Sequence, residues 1–252
     1  MAGRTYKTEA VVLRSIRFSE ADRILHLYTS ARGRIGAIAK GIRKTKSRFG
    51  ARLEPLSHVE LMLHEGSGEL QTVTGVELLH SHHDVREDNY RLNVGMIGAE
   101  AMLRLFGEPE ANERAFTALT RFLDLLGSAP NSAPSFSTRP ALDPLALSFQ
   151  LKLLWVAGYL PHLTSCAECG SNAELIGFSA RSGGAVCAPH AREAIRLSPE
   201  GLSAIEQLLS TPLADAVAAP LGDRARRDGL AVITASYEEH GGFRLRTVSA
   251  SA

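Results

Sequence analysis

The first third of the chain alternates short β-rich segments with turns, and this pattern constrains the fold more than any other feature. Five segments read as short strands, namely 8–14, 23–29, 34–40, 56–64 and 69–78, and apolar and polar residues alternate most clearly along 23–29, 34–40 and 56–64. Gly36 and Gly75 interrupt two of them, which is typical of bulges or tight corners. Five short strands with glycine-rich turns predict a small closed barrel of the size of an OB-fold, although an SH3-like barrel fits the strand count equally.

From about Asn89 the hydrophobic period changes to that of a helix. Apolar patterns and start signals predict helices at 92–106, at 116–126, at 142–160, after Ser198-Pro199 and near Arg224. The helix at 142–160 is apolar enough to be a buried central helix. The stretch 128–140 is rich in serine and proline, has no periodicity, and therefore predicts a loop or linker.

Charge is distributed unevenly along the chain, although the formal net charge is only +1. Residues 1–52 hold thirteen lysines and arginines against three acids, a local net charge of +10, and the remaining residues carry −9. No acid occurs between Arg23 and Leu53. Because a bound polyanion would offset this self-repulsion, we expect a polyanion-binding module joined to an acidic body. The alternative is a solvated basic face without a partner.

The segment 32–52 concentrates the positive charge and interleaves it with glycines, small residues and Phe49. Lysine and arginine neutralise phosphates, glycine lets backbone N–H groups approach them, and an exposed aromatic ring stacks on a base. Phe49 is either such a platform or a plug of the core. If about five to eight cations each displace a counterion, the logarithm of the binding constant falls by about four to seven per decade of salt. The segment lacks the order of a phosphate loop, which argues against nucleotide hydrolysis.

Three cysteines and a histidine form two closely spaced pairs, Cys166-x2-Cys169 and Cys187-x2-His190. Two such pairs, about fifteen to twenty residues apart, are typical of a tetrahedral zinc ribbon or knuckle. Four protein ligands leave no position for water, so the predicted zinc is structural. His162 and Glu168 are alternative fourth ligands with poorer spacing, and four unrelated surface or core residues are the alternative to any metal site.

His80, His82, His83 and Asp84 form a third candidate cluster. Adjacent residues in a strand or turn point apart, and the sequence offers no distant carboxylate that obviously completes a metal site. We therefore expect a polar connector between the barrel and the helices here.

Several patterns restrict the function by their absence. No apolar run reaches the length of about eighteen residues that a membrane span needs, no apolar region of a signal peptide follows the early arginines, and three cysteines do not suit a disulfide framework. A cytoplasmic protein is expected. Neither G-x-S-x-G nor H-E-x-x-H occurs, so binding is favoured over catalysis. The two alternatives are an OB-fold protein that binds structured RNA and a zinc-dependent nuclease or deaminase.

The motifs of residues 8–55 resemble those of the bacterial recombination mediator family RecO. The runs that carry the resemblance are S-E-A-D-R-I-L, G-R-I-G-A-I-A-K-G and S-R-F-G-A-R-L-E-P. The resemblance continues through the Cys166 and Cys187 motifs with their glycines and reaches G-G-F-R-L-R-T at 241–247, so it covers nearly the whole chain. One departure is His190, where zinc-bearing members of the family usually have cysteine. Other members lack the cysteines entirely.

The resemblance implies an α+β fold, with an N-terminal five-stranded OB-fold β-barrel followed by an all-helical domain with a zinc-ribbon-like insertion. The expected division is a barrel at 1–82, a first helical part at 83–160, the insertion at 161–195 and a second helical part at 196–252. It also implies a non-enzymatic, cytoplasmic and nucleoid-associated protein. Such a protein binds single- and double-stranded DNA, anneals strands, partners RecR, contacts the C-terminal tail of single-strand-binding protein and helps to load RecA.

The positions that match the family pattern give two sets of site residues. The residues expected to contact DNA are Arg14, Arg34, Lys40, Arg43, Lys44, Lys46 and Arg48. The residues expected to hold one structural zinc ion are Cys166, Cys169, Cys187 and His190.

Overall fold

The computed structural model describes residues 4–128 and 139–250, except for the side chains of residues 249 and 250. Most of the predicted linker, residues 129–138, lies outside the described residues. The chain divides into two compact units, Met1–Gly127 and Ser128–Ala252. The four-part division expected from the sequence is finer than this one and stays a prediction.

Five strands of the first unit close into a barrel in the order β1-β2-β3-β5-β4. They are β1 (Arg4–Arg17), β2 (Arg23–Thr29), β3 (Gly33–Ala39), β4 (His58–Glu65) and β5 (Gln71–His80). Neighbouring strands are antiparallel except β3 and β5, which are parallel. This order and pairing are those of an OB-fold, so the α+β prediction with an N-terminal OB-fold is confirmed and the SH3-like alternative is wrong.

The alternation of side chains predicted from the sequence fills the barrel. Along β3, Ile35, Ala37 and Ala39 are buried and the residues between them are only half-buried. Gly75 lies beside a shift in the β4–β5 register, as expected of a bulge. Gly36 lies in regular pairing, and a Cβ there would meet Leu70 Cδ2 at 2.7 Å, so close packing is what this position requires.

Three helices complete the first unit. They are α1 (His83–Glu87), α2 (Asn89–Leu105) and α3 (Glu113–Ser128). The carboxylate of Asp88 accepts a hydrogen bond from the backbone N–H of Arg91 and thereby caps α2. The buried face of α3 includes Phe116, Leu119 and Leu123, which follow the predicted helical spacing. Both helices predicted between 92 and 126 are confirmed.

Five α-helices form most of the second unit over its described residues, 139–250. They are α4 (Pro144–Val156), α5 (Pro199–Ser210), α6 (Leu213–Ala216), α7 (Asp223–Gly241) and α8 (Arg246–Ala250). Ten of the thirteen residues of α4 are buried, and the helix packs against α5, α6 and α7, which confirms the predicted central helix. Ser198 caps α5, and its hydroxyl donates to the buried Asp228 of α7 at 2.7 Å.

A small antiparallel sheet lies between α4 and α5 in the chain. Its strands are β6 (Leu175–Ser179), β7 (Gly184–Cys187) and β8 (Ile195–Arg196), in the order β7-β6-β8. This sheet carries the predicted cysteine-containing insertion. Among the described residues, no helix combines the length and the apolarity that a membrane crossing needs.

Candidate nucleic-acid interface and metal centre

The loop Lys40–Arg48, here called the basic loop, follows the end of β3. Its Ile42 is buried in the barrel core, and the next aromatic residue, Phe49, is only 1% exposed there. Phe49 is therefore the core plug and not a base platform. The cations of the loop are all exposed, namely Lys40, Arg43, Lys44, Lys46 and Arg48. The two apolar residues anchor the loop, and this leaves the charged side chains in solvent.

Hydrogen bonds hold the basic loop against the turn 18–22, which joins β1 to β2. The backbone N–H of Gly41 donates to the carboxylate of Asp22 at 2.8 Å, and Gly41 has a φ of +70°, which glycine adopts at little cost. The guanidinium of Arg43 donates to two backbone carbonyls of the turn, at 3.1 and 2.8 Å. The basic loop and the turn 18–22 therefore present one continuous surface.

The other two residues predicted to contact DNA lie on strands. Arg14 is exposed on β1 and pairs across the sheet with His26 of β2. Arg34 of β3 is half-buried and donates to the carbonyl of Leu103 in α2 at 3.2 Å, so part of its donor capacity is used within the protein. Burial lowers the pKa of His26, and the charges of Arg14 and Arg34 lower it further. Arg14 and Arg34 thus form a second basic patch on the strands, and His26 lies close enough to feel both charges.

Ion pairing separates the cations of the barrel into two groups. Lys7, Arg23 and Arg32 each form a salt bridge with a glutamate. Within residues 4–128 and 139–250, no carboxylate forms a salt bridge with any of the seven residues predicted to contact DNA. Among the described residues, no carboxylate therefore neutralises these charges by direct pairing.

Phe18 is an aromatic residue that the sequence reasoning did not identify. It lies in the turn 18–22 and is 60% exposed, the largest exposure among the large apolar side chains of the described residues. An exposed ring beside a basic surface has the properties of a base-stacking platform. The sequence signal was the aromatic residue directly after Arg17 at a strand end, in a turn where a core position is not expected.

The side chains of Cys166, Cys169, Cys187 and His190 converge, as their spacing predicted. Their ligand atoms all lie within 4.8 Å of one another. His190 Nδ1 lies 3.6 Å from the Sγ of Cys166 and 3.3 Å from that of Cys187, and Cys169 Sγ lies 3.8 Å from Cys187 Sγ. This group could bind a metal ion. We call it the cysteine cluster.

Turns and the small sheet position these ligands. The backbone N–H of Gly170 donates to the carbonyl of Cys166 at 2.8 Å and closes the turn of the first pair. Cys187 ends β7, and His190 ends the 3-10 turn Ala188–His190 that follows. The backbone N–H of Ala167, which follows Cys166, donates to the carbonyl of Ala185 in β7 at 2.8 Å, so the sheet supports the first pair as well as the second.

The alternative fourth ligands lie outside the cysteine cluster. His162 Nε2 lies 2.7 Å from the hydroxyl of Ser165, and the carboxylate of Glu168 accepts a hydrogen bond from Ser182 at 2.9 Å. His190 is therefore the fourth member of the group.

The donor chemistry of the cysteine cluster fits zinc. Hydrogen bonds from backbone N–H groups, that of Cys187 foremost, lower the pKa of Cys166 to about 6, whereas burial raises the pKa of Cys187 to about 11. Thiolates and imidazole are preferred zinc ligands, and a cation among them would offset the cost of a buried thiolate. The four side chains suffice for a closed tetrahedral site.

A second group of metal-ligating side chains consists of His80, His82 and Asp124, and we call it the histidine cluster. Their ligand atoms also lie within 4.8 Å of one another. The expectation that no carboxylate completes this set is wrong, because α3 places Asp124 beside both imidazoles. His83 lies apart and pairs with Glu87 instead. Asp124 and His82 are 42 residues apart in the sequence, so no local pattern predicted their contact.

Comparison with known proteins agrees with the resemblance in the sequence. The family model "Recombination protein O N terminal" matches residues 1–82, and "Recombination protein O C terminal" matches residues 86–248. The DNA repair protein RecO of Rubrobacter xylanophilus is 38% identical over 84% of this chain and 83% of its own length. That of Thermobifida fusca is 35% identical over 95% and 96%, and that of Anaeromyxobacter sp. (strain K) is 32% identical over 95% and 92%. The chain therefore belongs to the RecO family of DNA repair and recombination proteins.

Proposed function

We propose that this protein is a non-enzymatic recombination mediator that binds single- and double-stranded DNA through the basic loop and the basic patch on the strands. The observation that carries the proposal is the set of exposed loop cations that no carboxylate pairs with among the described residues. Such cations gain free energy by releasing counterions from phosphates. Backbone contacts of this kind give little sequence preference.

The basic loop and the turn 18–22 bind different parts of a DNA strand. Lys40, Lys44 and Arg48 supply charge to successive phosphates, and Phe18 supplies a ring on which an unpaired base stacks. Because the hydrogen bonds to Asp22 and to the turn carbonyls fix the loop, little order has to be gained on binding. The surface thus holds a single strand with its bases accessible.

Annealing follows from the same electrostatics. Two DNA strands repel each other through their phosphates, and neutralisation of one strand on the basic loop lowers that repulsion. Pairing then proceeds without ATP. In this proposal the cysteine cluster holds one structural zinc ion that stabilises the second unit and takes no part in chemistry, since its four protein ligands leave no open position.

The partners follow from family membership. We propose that the protein acts with RecR, contacts the C-terminal tail of single-strand-binding protein, and so helps RecA to load onto covered DNA. The chain outside residues 1–52 carries a net charge of −9, and we propose that the protein partners bind there and not at the basic loop. Function at the nucleoid, in the cytoplasm, belongs to the same proposal.

Charge reversal tests the interface. In the variant Lys40→Glu/Arg43→Glu/Lys44→Glu/Arg48→Glu, we expect binding of a labelled single-stranded oligonucleotide to weaken strongly and annealing to slow. Binding should also depend less steeply on salt. In a plot of the logarithm of the binding constant against the logarithm of salt concentration, the magnitude of the slope should decrease by about three, because each lost phosphate contact removes about 0.7 on single strands. A salt titration by fluorescence anisotropy measures both quantities.

The matched control reverses four exposed arginines elsewhere, Arg114 and Arg121 of α3 with Arg181 and Arg192 of the second unit, for the same change in net charge. It should keep the wild-type salt slope. Unchanged annealing and slope in the loop variant would overturn the proposal. So would stronger competition by a structured RNA than by either form of DNA, or cleavage of the oligonucleotide that a chelator abolishes.

A further inference from the structure

The histidine cluster lies where the last barrel strand meets the helices of the first unit. His80 ends β5, His82 precedes α1, and Asp124 lies on α3. The Oδ1 atom of Asp124 lies 2.9 Å from His80 Nδ1 and 3.0 Å from His82 Nε2. The two imidazole rings pack at 4.1 Å between centroids. One carboxylate oxygen is therefore shared by two ring nitrogens.

The hydrogen bonds of His82 place an acceptor atom of its ring opposite an acceptor atom of Asp124. Its Nδ1 lies 2.8 Å from the backbone carbonyl of Leu56, which only accepts, so Nδ1 carries the proton. Nε2 of a neutral ring then points its lone pair at the carboxylate of Asp124, which also only accepts. The side chain of His82 is only 1% exposed, and such burial disfavours a charged imidazolium. A metal ion between Nε2 and the carboxylate resolves the conflict.

The backbone holds His82 in place for this geometry. Among the residues that the structure describes, Leu56 and His82 are the two non-glycine residues with positive φ, at 69° and 46°. These same two residues share the hydrogen bond from Nδ1 to the carbonyl. Non-glycine residues in the left-handed region cost free energy and concentrate at functional sites. The backbone is thus strained at both residues of the hydrogen bond that orients the ring of His82, namely His82 itself and Leu56.

The same contact has a recognised role in metal sites. Histidine ligands usually donate the ring N–H that faces away from the metal to a carbonyl or carboxylate, which fixes the tautomer and directs the free lone pair toward the ion. Bonds of about 2.0–2.1 Å to a tetrahedral zinc place neighbouring ligand atoms about 3.3 Å apart, so the observed separations need to open by only a few tenths of an ångström. Imidazole and carboxylate donors suit zinc and its divalent neighbours.

We propose that His80, His82 and Asp124 bind a second divalent metal ion of the zinc class, with one coordination position open to solvent. More than half of the surface of His80 and Asp124 is exposed, so the ion enters from solvent and a water molecule occupies the fourth position. The ion links the end of β5 to α3. Because it binds only the folded unit, it stabilises that unit as its free concentration rises.

The variant Asp124→Asn tests the site without removing the packing. Its amide N–H can donate to Nε2 of His82, so the metal-free variant should melt at the wild-type temperature in chelator. In calorimetric titrations of the full chain with Zn²⁺, wild type should bind one ion more than this variant. Affinity at that site should fall by more than about 100-fold, because the loss of a ligand exceeds the effect of losing an outer-shell partner. His80→Gln should behave alike.

His83→Gln is the matched control, because His83 also lies next to a carboxylate, that of Glu87 at 3.0 Å, but outside the histidine cluster. This variant should keep the wild-type number of ions. Equal stoichiometry and affinity in wild type and Asp124→Asn would overturn the proposal, and so would an equal loss in His83→Gln.

Discussion

The cysteine cluster and the histidine cluster differ in how the chain assembles them. All ligands of the cysteine cluster come from residues 166–190, where turns and the short sheet hold them. In the histidine cluster, Asp124 comes from a helix 42 residues beyond His82, and only the packing of α3 against the barrel region brings the groups together. Local structure thus builds the first cluster, whereas the tertiary fold of a whole unit builds the second.

The chemistry of the two clusters differs in the same sense. Three thiols and one imidazole make a closed set for a structural ion, while two imidazoles and a carboxylate with exposed members leave one position open. Removal of metal should therefore affect the two units differently. We expect the unit with the cysteine cluster to lose local order without an ion, and the unit with the histidine cluster to keep its barrel core without one.

The largest expected effect comes from the variant Cys166→Ser/Cys169→Ser. It removes two of the four ligands, so the chain should lose its tightly bound zinc, measured by elemental analysis. The melting temperature of the second unit should fall by about 10 °C or more, because loss of a structural metal belongs to the most destabilising changes. Chelation of wild-type protein should produce the same fall.

The comparison also predicts what this variant leaves intact. The basic loop lies in the first unit, so the salt slope of DNA binding should stay at the wild-type value. Full retention of zinc in the double variant would contradict the assignment of the cluster. A changed salt slope would show that the two units do not act separately.

A smaller effect is expected at His190, the ligand that departs from the usual cysteine of the family. His190→Ala removes the Nδ1 atom that lies near both Cys166 and Cys187, and the melting temperature should fall by about 5 °C with weaker zinc binding. His190→Cys supplies a thiolate instead and should keep one zinc per chain. Both are measured by thermal melts together with metal analysis.

His162→Ala is the control, because this residue was an alternative ligand but bonds to Ser165. It should leave zinc content unchanged. If His162→Ala lost zinc and His190→Ala kept it, the ligand set would be wrong.

The fold was predictable to the extent that it rests on local patterns. The alternation along β3 and the spacing of Phe116, Leu119 and Leu123 each report one buried face, so strands and helices could be located. The closure of the barrel through a parallel β3–β5 pair could not be read in this way, because the pairing joins residues distant in sequence. For the barrel type, the resemblance to a family supplied what periodicity left open.

The candidate sites also differ in whether local sequence patterns or the packing of distant elements determine them. Spacing alone identified the cysteine cluster, since each ligand pair is a local turn. Composition identified the cations of the basic loop, but only the structure separates them from Arg23 and Arg32, which carboxylates pair with. Asp124 leaves no local signal, because its contact with the two histidines depends on where α3 packs. Phe18 did leave one, because it directly follows Arg17 in a turn at a strand end.

The smallest expected effect concerns His26. The charged neighbours of this histidine are the cations Arg14 and Arg34, whereas the charged neighbour in the histidine cluster is the carboxylate of Asp124. Burial, with Arg14 and Arg34, holds the pKa of His26 in the folded state below the usual value of about 6.5. As the pH falls, the unfolded chain therefore binds this proton first, and the stability present above about pH 6.5 is lost progressively below it. His26→Gln cannot bind this proton, so its melting temperature should fall less than that of wild type between about pH 7.5 and 5.5. The difference between the two proteins should be at most about 2 °C, because solvent screens the site.

Thermal melts of wild type and His26→Gln across this range measure the difference, and Arg14→Gln should reduce it because one of the cations that lower the pKa is gone. An equal or larger loss of stability in His26→Gln would contradict the assignment. Bound DNA should reverse the effect, since phosphates beside Arg14 and Arg34 favour the charged imidazole. Wild type should then bind DNA more tightly as the pH falls, with uptake of a proton that His26→Gln does not show, because nearby phosphates favour the charged form of His26.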